Sequence, residues 1–193
     1  ELSGSPERQR KLITDWDVYR GMTSEARRRF LNFHTVSAAI RAEALSRTPF
    51  RSVRTIGEDL LWAREVVESG WALVHEPASL VYHSHRYTLP ELLSRNVDDG
   101  IANRDINQRT LEDHEIVPMI RAMVRDDWAY LRQTVGLSGP ELDSWQLDSV
   151  LRRTSQVIGQ WLGVNYEVLP ADTAAYFSSI AKLRMGAQPV TEG

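Results

Sequence analysis

No cysteine occurs among the 193 residues. Disulfides, zinc–thiolate centres and cysteine nucleophiles are therefore excluded. Nor is there an apolar run near the ~20 residues that a membrane-spanning helix needs. The opening stretch ELSGSPERQRK is polar and lacks the apolar centre of a signal peptide. It has no initiator methionine either, so the chain is expected to be a piece of something longer. An excess of positive charge is missing too. The 23 basic residues face 26 acidic ones, for a net charge of -3, whereas bulk nucleic-acid binding ordinarily shows as a basic surplus. Internal repeats and low-complexity tracts are absent. What remains, 42% hydrophobic and 25% charged residues, is the composition of a soluble globular chain. The length suits one domain or a domain and a half, enough for a sizeable core.

Periodicity and breakers give the organisation. Residues 1–10 read as a flexible lead-in, and SEARRRFL (24–31) as a short helix. AAIRAEAL has helical character and is stopped at Thr48-Pro49, because a residue before proline avoids the α region. EDLLWAREVVESG (58–70) is a helix with Leu60, Ala63 and Val67 on one face. Acidic residues at its start complement the helix dipole, and Gly70 stops it. WALVH (71–75) reads as a strand, EPAS as a turn and LVYHSH (80–85) as a second extended run. Thr88 and Glu91 form a capping-box pattern with Pro90 in the first turn, opening a helix to about residue 98. Another helix is expected from near Pro118, with the stripe Ile120, Met123, Val124, Trp128, Leu131 and Val135, ending at Gly136. A third opens at Ser138, Pro140 and Glu141. Its stripe is Leu147, Val150, Leu151, Ile158, Trp161 and Leu162, and it ends near Gly163. A last helix covers about 171–184, before a polar tail.

Several groups could carry chemistry. Glu58-Asp59 either cap their helix or place a general base, since a carboxylate on a rigid helix start can take a proton from a hydroxyl. His83 and His85 alternate onto one face of an extended run, where two imidazoles can share a metal; the rival role is a half-exposed strand end. A helix of about 15 Å followed by a strand of about 17 Å permits the two groups to meet. Asp15-Trp16-Asp17 has the D-x-D form that can hold a cation, but RQRKLIT before it is mostly polar and not read as a strand, which favours an ordinary surface segment. Trp128, Trp145 and Trp161 are expected to pack between helices. Trp62, one turn after Asp59, is expected either in the core or as a wall for a sugar or base ring.

NFHTVSAAIRAEALSRTPF and GEDLLWAREVVESGWALVHEPASLVYHSH together resemble the second half of a family 2 glycosyltransferase of the GT-A fold. GQWLGVNYEVLP is similar to the LGxNYxxLP step of bacterial rhamnosyltransferase-like members. The likeness runs over residues 30–184. It implies a partial GT-A α/β fold followed by a helical extension, mainly helical overall. It divides the chain into a lead-in with a short helix (1–31), an acceptor-side catalytic half (32–87), a helical region (88–184) and a tail (185–193). The activity implied is inverting transfer of a sugar, rhamnose for example, from a nucleotide-diphosphate sugar to a hydroxyl of a glycan or lipid-linked acceptor. Asp59 maps onto the family's base, with Glu58 beside it, and His83 onto a histidine that helps bind a divalent cation, manganese or magnesium. His85, Arg86 and Trp62 become substrate contacts. The expected location is cytoplasmic, at the inner face of the cell membrane. The family's nucleotide-binding half and its metal-binding D-x-D have no room before residue 32, and Asp15-Trp16-Asp17 lies too near Glu58-Asp59 for the family's spacing. A fragment, a homodimer or a partner chain supplying that half is therefore expected. Two rivals stand beside this: a non-catalytic helical assembly module, and a metal-dependent hydrolase using His83, His85 and an acid.

Overall fold

The computed structural model describes residues 12–23, 33–53, 56–76, 78–79, 81–170 and 172–179. The expected lead-in, the SEARRRFL helix, the end of the last helix and the tail lie outside these residues. The protein is mainly helical. It divides into two compact units, Glu1–Val53 with Gly57–His85, and Arg54–Ile56 with Arg86–Gly193.

In the first unit, strand β1 (Leu12–Thr14) pairs antiparallel with β2 (Leu73–His75), Ile13 opposite Val74. Sequence gave no strand before Asp15. Three residues in a polar neighbourhood carry no period, and only the edge of β2 makes them a strand. Asp15 then caps helix α1 (Trp16–Gly21), accepting the Val18 N–H at 2.9 Å. Asp17 pairs with Arg20 at 2.8 Å on the surface, so both D-x-D carboxylates have local structural partners. Helix α2 (Ala42–Arg47) stops at Thr48 before proline, as expected. Helix α3 (Glu58–Glu68) is entered through Gly57 at φ 96°, a left-handed conformation that favours glycine. It is closed by Gly70 at φ 87°, whose N–H bonds the Val67 carbonyl at 3.1 Å. Its apolar side packs Trp62, Val66 and Val67 onto Tyr19 and Ala44, with Phe33, Ile40, Trp71 and Leu73 around them.

LVYHSH was expected as a second extended run. Residues 81–88 have no regular structure, and Val81 and Tyr82 are exposed. An apolar pattern becomes a strand only where a neighbouring edge takes its hydrogen bonds. Among the described residues, the α/β character implied by the GT-A resemblance is confined to the β1–β2 ribbon.

The second unit is a helical assembly. Helix α4 (Leu89–Asn107) opens with the expected capping box: Glu91 Oε2 accepts the Thr88 N–H at 2.8 Å, and Thr88 Oγ1 accepts the Glu91 N–H at 3.4 Å. It continues past residue 98 to Gln108, because Gly100 is a packing position there and not a stop. Helix α5 (Asp113–Tyr130) begins five residues before Pro118, on a second capping box between Glu112 and Glu115, and holds Pro118 inside. A π-helical turn (Leu131–Val135) extends it to Gly136, which takes φ 76°. Helix α6 (Gly139–Val164) and the short α7 (Thr173–Phe177) complete the unit.

Helices α4 and α6 meet backbone to backbone. A Cβ on Gly100 would lie 2.6 Å from the Gln160 carbonyl, and one on Gly159 would lie 2.6 Å from that of Leu93. A Cβ on Gly163 would collide with the Val97 carbonyl and sit 2.7 Å from Gly100 Cα. The stripe expected for α6 is Leu147, Val150, Leu151, Ile158, Trp161 and Leu162. Val150, Ile158, Trp161 and Leu162 are half-buried, but Leu147 and Leu151 are 62% and 44% exposed, and the most buried positions are Ser149, Val157, Gly159, Gly163 and Val164. Small residues allow the closest approach, so the buried face is the one with least side chain. Between α5 and α6, Arg153 forks onto Asp127 at 2.6 and 2.7 Å, and Ser149 Oγ donates to the same carboxylate at 2.6 Å. Asp98 of α4 is fully buried and accepts hydrogen bonds from Ser178 and Ser179, tying the C-terminal segment down.

Candidate active site

Gly57 turns the chain so that Glu58 and Asp59 occupy the first turn of α3. Glu58 is exposed; Asp59 is half-buried. Asp59 Oδ1 accepts the Leu60 N–H at 2.8 Å, and Oδ2 lies 3.8 Å from His34 Nδ1. That second distance is longer than a hydrogen bond and becomes an ion pair when His34 is protonated. Burial pushes the Asp59 pKa up. The His34 imidazole and the backbone N–H groups of Leu60 and Thr35 more than offset this, so the carboxyl sits below its ordinary value of 3.8. The result is a carboxylate ionised throughout the neutral range beside an exposed imidazole.

His34 carried no signal in the sequence. It stands 25 residues before Asp59, and only the folding of the 33–41 segment against the start of α3 brings them together. Trp62 was open to two roles, and the structure places it in the core. It is 3% exposed, lies between Phe33 and Phe50 with ring centroids 5.1 Å away on each side, and donates its Nε1–H to the Thr48 carbonyl. A ring so enclosed supports the helix that carries Asp59 and offers no wall to a sugar.

His83 and His85 are exposed, and their rings meet edge to face with centroids 4.4 Å apart. Among the described residues, no three His, Asp or Glu side chains converge to hold a metal ion. The pair provides two of the three protein donors usual at a catalytic metal. Two imidazoles without a carboxylate also do not fit magnesium or manganese, which prefer oxygen. Arg86 is exposed and begins the second unit.

The residues of LGxNYxxLP are occupied by the fold of the second unit. Gly163 makes the α4–α6 contact. The Asn165 amide donates to the carbonyls of Leu111 and Trp161, both at 3.0 Å, and Tyr166 donates its hydroxyl to Asp105 at 2.8 Å.

Comparison with known proteins points to a glycosyltransferase-like relationship. The chain is similar to an O-antigen chain rhamnosyltransferase of Salmonella typhimurium, at 23% identity over 140 residues. The match takes in 70% of this chain and spans 40% of the length of that relative. No family model and no solved structure matches the chain.

Proposed function

We propose that the chain is the acceptor-side, C-terminal portion of an inverting sugar transferase of the GT-A, family 2 type. It would move a sugar, rhamnose as first candidate, from a nucleotide-diphosphate donor to a hydroxyl of a glycan or lipid-linked acceptor. The observation that carries this is Asp59, a half-buried carboxylate fixed at a helix start and held below its ordinary pKa. The similarity to a rhamnosyltransferase supports the choice of chemistry. Asp59 takes the proton of the acceptor hydroxyl. The freed oxygen attacks the anomeric carbon, the bond from that carbon to the diphosphate oxygen breaks, and a nucleoside diphosphate leaves with the bonding pair. His34, 3.8 Å from Asp59 Oδ2, is a positioning residue that orients the carboxylate. A divalent cation with His83 as one ligand would need oxygen donors from elsewhere, so no step is assigned to it. His85 and Arg86 are offered as donor or acceptor contacts; Arg suits a diphosphate through its planar fork.

Transfer is tested in an assembly that includes the nucleotide-binding half this chain is expected to lack, by release of nucleoside diphosphate from nucleotide-diphosphate rhamnose on addition of a glycan acceptor. Asp59→Asn should lower turnover by roughly 10²–10⁴-fold, the usual worth of a general base, with the circular dichroism spectrum unchanged. Because the base is active only when ionised and its pKa is lowered, the acid limb of the rate profile should fall below the ordinary carboxylate range. Turnover within a few-fold of wild type in the Asn variant would remove the base assignment. A second reading, an assembly module without catalysis, is favoured by the occupation of Gly163, Asn165 and Tyr166 in packing. It predicts no transfer with any nucleotide-sugar even when a nucleotide-binding half is supplied.

A further inference from the structure

Two exposed hydroxyls stand beside the Asp59–His34 pair. His34 leads into a single 3₁₀ turn (Thr35–Ser37). The Thr35 N–H, at the start of that turn, is bonded to the Asp59 carboxylate. At ~2.0 Å of rise per residue, Ser37 lies about 4 Å further along the turn axis. There its Oγ meets Ser79 Oγ at 3.0 Å. Ser79 belongs to the turn that follows β2. That turn is closed by the Ser79 N–H on the Glu76 carbonyl at 3.0 Å and by the Ala78 N–H on Glu76 Oε1 at 3.3 Å. One hydroxyl is thus carried on a 3₁₀ turn and the other on a hydrogen-bonded loop. The two lie 42 positions apart in sequence, so only the folded unit brings them together.

Both serines are exposed. Their mutual bond engages one O–H and one lone pair, which leaves the other O–H and the remaining lone pairs open. A sugar hydroxyl both donates and accepts, so it can meet this pair in either sense. The ionised Asp59 nearby repels an anionic group, and a neutral polyhydroxy ligand is the better fit. The step from the Thr35 end of the turn, where the Asp59 carboxylate sits, to Ser37 is within the span of one pyranose ring. A ring with one hydroxyl on Asp59 can therefore place a second on the serine pair.

We propose that Ser37 and Ser79 are specificity-determining residues that hold a second hydroxyl of the acceptor sugar while its reacting hydroxyl sits on Asp59. The inference rests on the transferase reading. It names the acceptor as a pyranose with two free hydroxyls, the reacting one and a near neighbour. An acceptor without the second hydroxyl leaves the serine pair unmatched and binds less well.

The first test needs no turnover. The isotopically labelled full chain is titrated with the methyl glycosides of rhamnose, mannose, galactose and glucose, and its backbone amide resonances are followed. At least one glycoside should shift Thr35, Ser37 and Ser79. Ser37→Ala and Ser79→Ala should each weaken its binding roughly 2- to 10-fold, the worth of one neutral hydrogen bond. Removing the recognised hydroxyl from that glycoside should cost the wild type a similar factor. In the double variant the same removal should cost nothing further, a coupling that a purely structural tie between two loops does not produce. No shift at these residues with any of the glycosides, or equal losses for the deoxy glycoside in wild type and double variant, would overturn the proposal. Turnover in the assembly with the nucleotide-binding half reports on Asp59 separately. If Asp59→Asn abolishes transfer while both serine variants keep the wild-type acceptor KM, the serine assignment falls and the base stands. If the glycoside binds through the serines but Asp59→Asn turns over as wild type does, the base falls and the proposal falls with it.

Discussion

Asp127 shows how one residue joins two helices. Its carboxylate receives both arms of Arg153 and the Ser149 hydroxyl, and all three side chains are largely withdrawn from water. Burial raises its pKa; the bonds from Arg153 and Ser149 and the Arg153 charge outweigh that, and the net direction is down. A pKa lower in the folded state means that the unfolded chain binds the proton more readily. The contribution is therefore complete above the unfolded carboxylate value and disappears as the pH falls through the folded one. Asp127→Asn should lower stability at neutral pH by about 1.5–3 kcal/mol, the range for hydrogen bonds to charged groups. That difference should shrink in acid, and denaturant melts at pH 7 and pH 3 check it. Asp59 and Arg153 illustrate what could be read beforehand. The acidic start of α3 was legible because capping is local. The partners of Asp59 and Asp127 were not, because His34 and Arg153 lie 25 and 26 positions away and carry no pattern linking them.

Among the elements, helices with local signals were legible. The Thr88–Glu91 box, the Thr48-Pro49 stop and the Gly70 and Gly136 ends all stand where the residues placed them. Each depends on groups within a few positions of one another. Gly163 ends α6 to within a residue, as expected, and also makes the contact with α4. Pro118 looked like a start, yet it lies inside a helix begun by an earlier cap. The α4–α6 crossing makes a direct prediction. Gly163→Ala inserts a methyl against backbone atoms that belong to a facing helix and cannot turn aside. Overpacking of this kind ordinarily costs about 1–3 kcal/mol, so the melting temperature should drop by several degrees. Gly21→Ala, where a Cβ meets nothing within 4 Å, is the comparison and should melt close to wild type. Equal midpoints for the two variants would mean that α4 and α6 are not held at this distance.

At the scale of the whole molecule, the second unit has its own packed helices, its own buried polar ties and a core around Val97 and Ile101 with Leu162, Tyr166 and Phe177. Such a unit is expected to fold by itself. A chain of residues 86–193 should give a helical circular dichroism spectrum and a cooperative melt; a featureless unfolded spectrum would show that it depends on the first unit. Read at this scale, the sequence by itself determined what cannot occur and what is local. Without cysteine there is no disulfide or thiolate chemistry, and caps, stops and the acidic start of α3 follow from neighbours along the chain. Tertiary structure alone decided which face of α6 is buried, that Leu12–Thr14 is a strand, that Trp62 is enclosed and that His34 meets Asp59. Each of these depends on groups far apart in sequence, whose contact energy exists only after the intervening chain has folded.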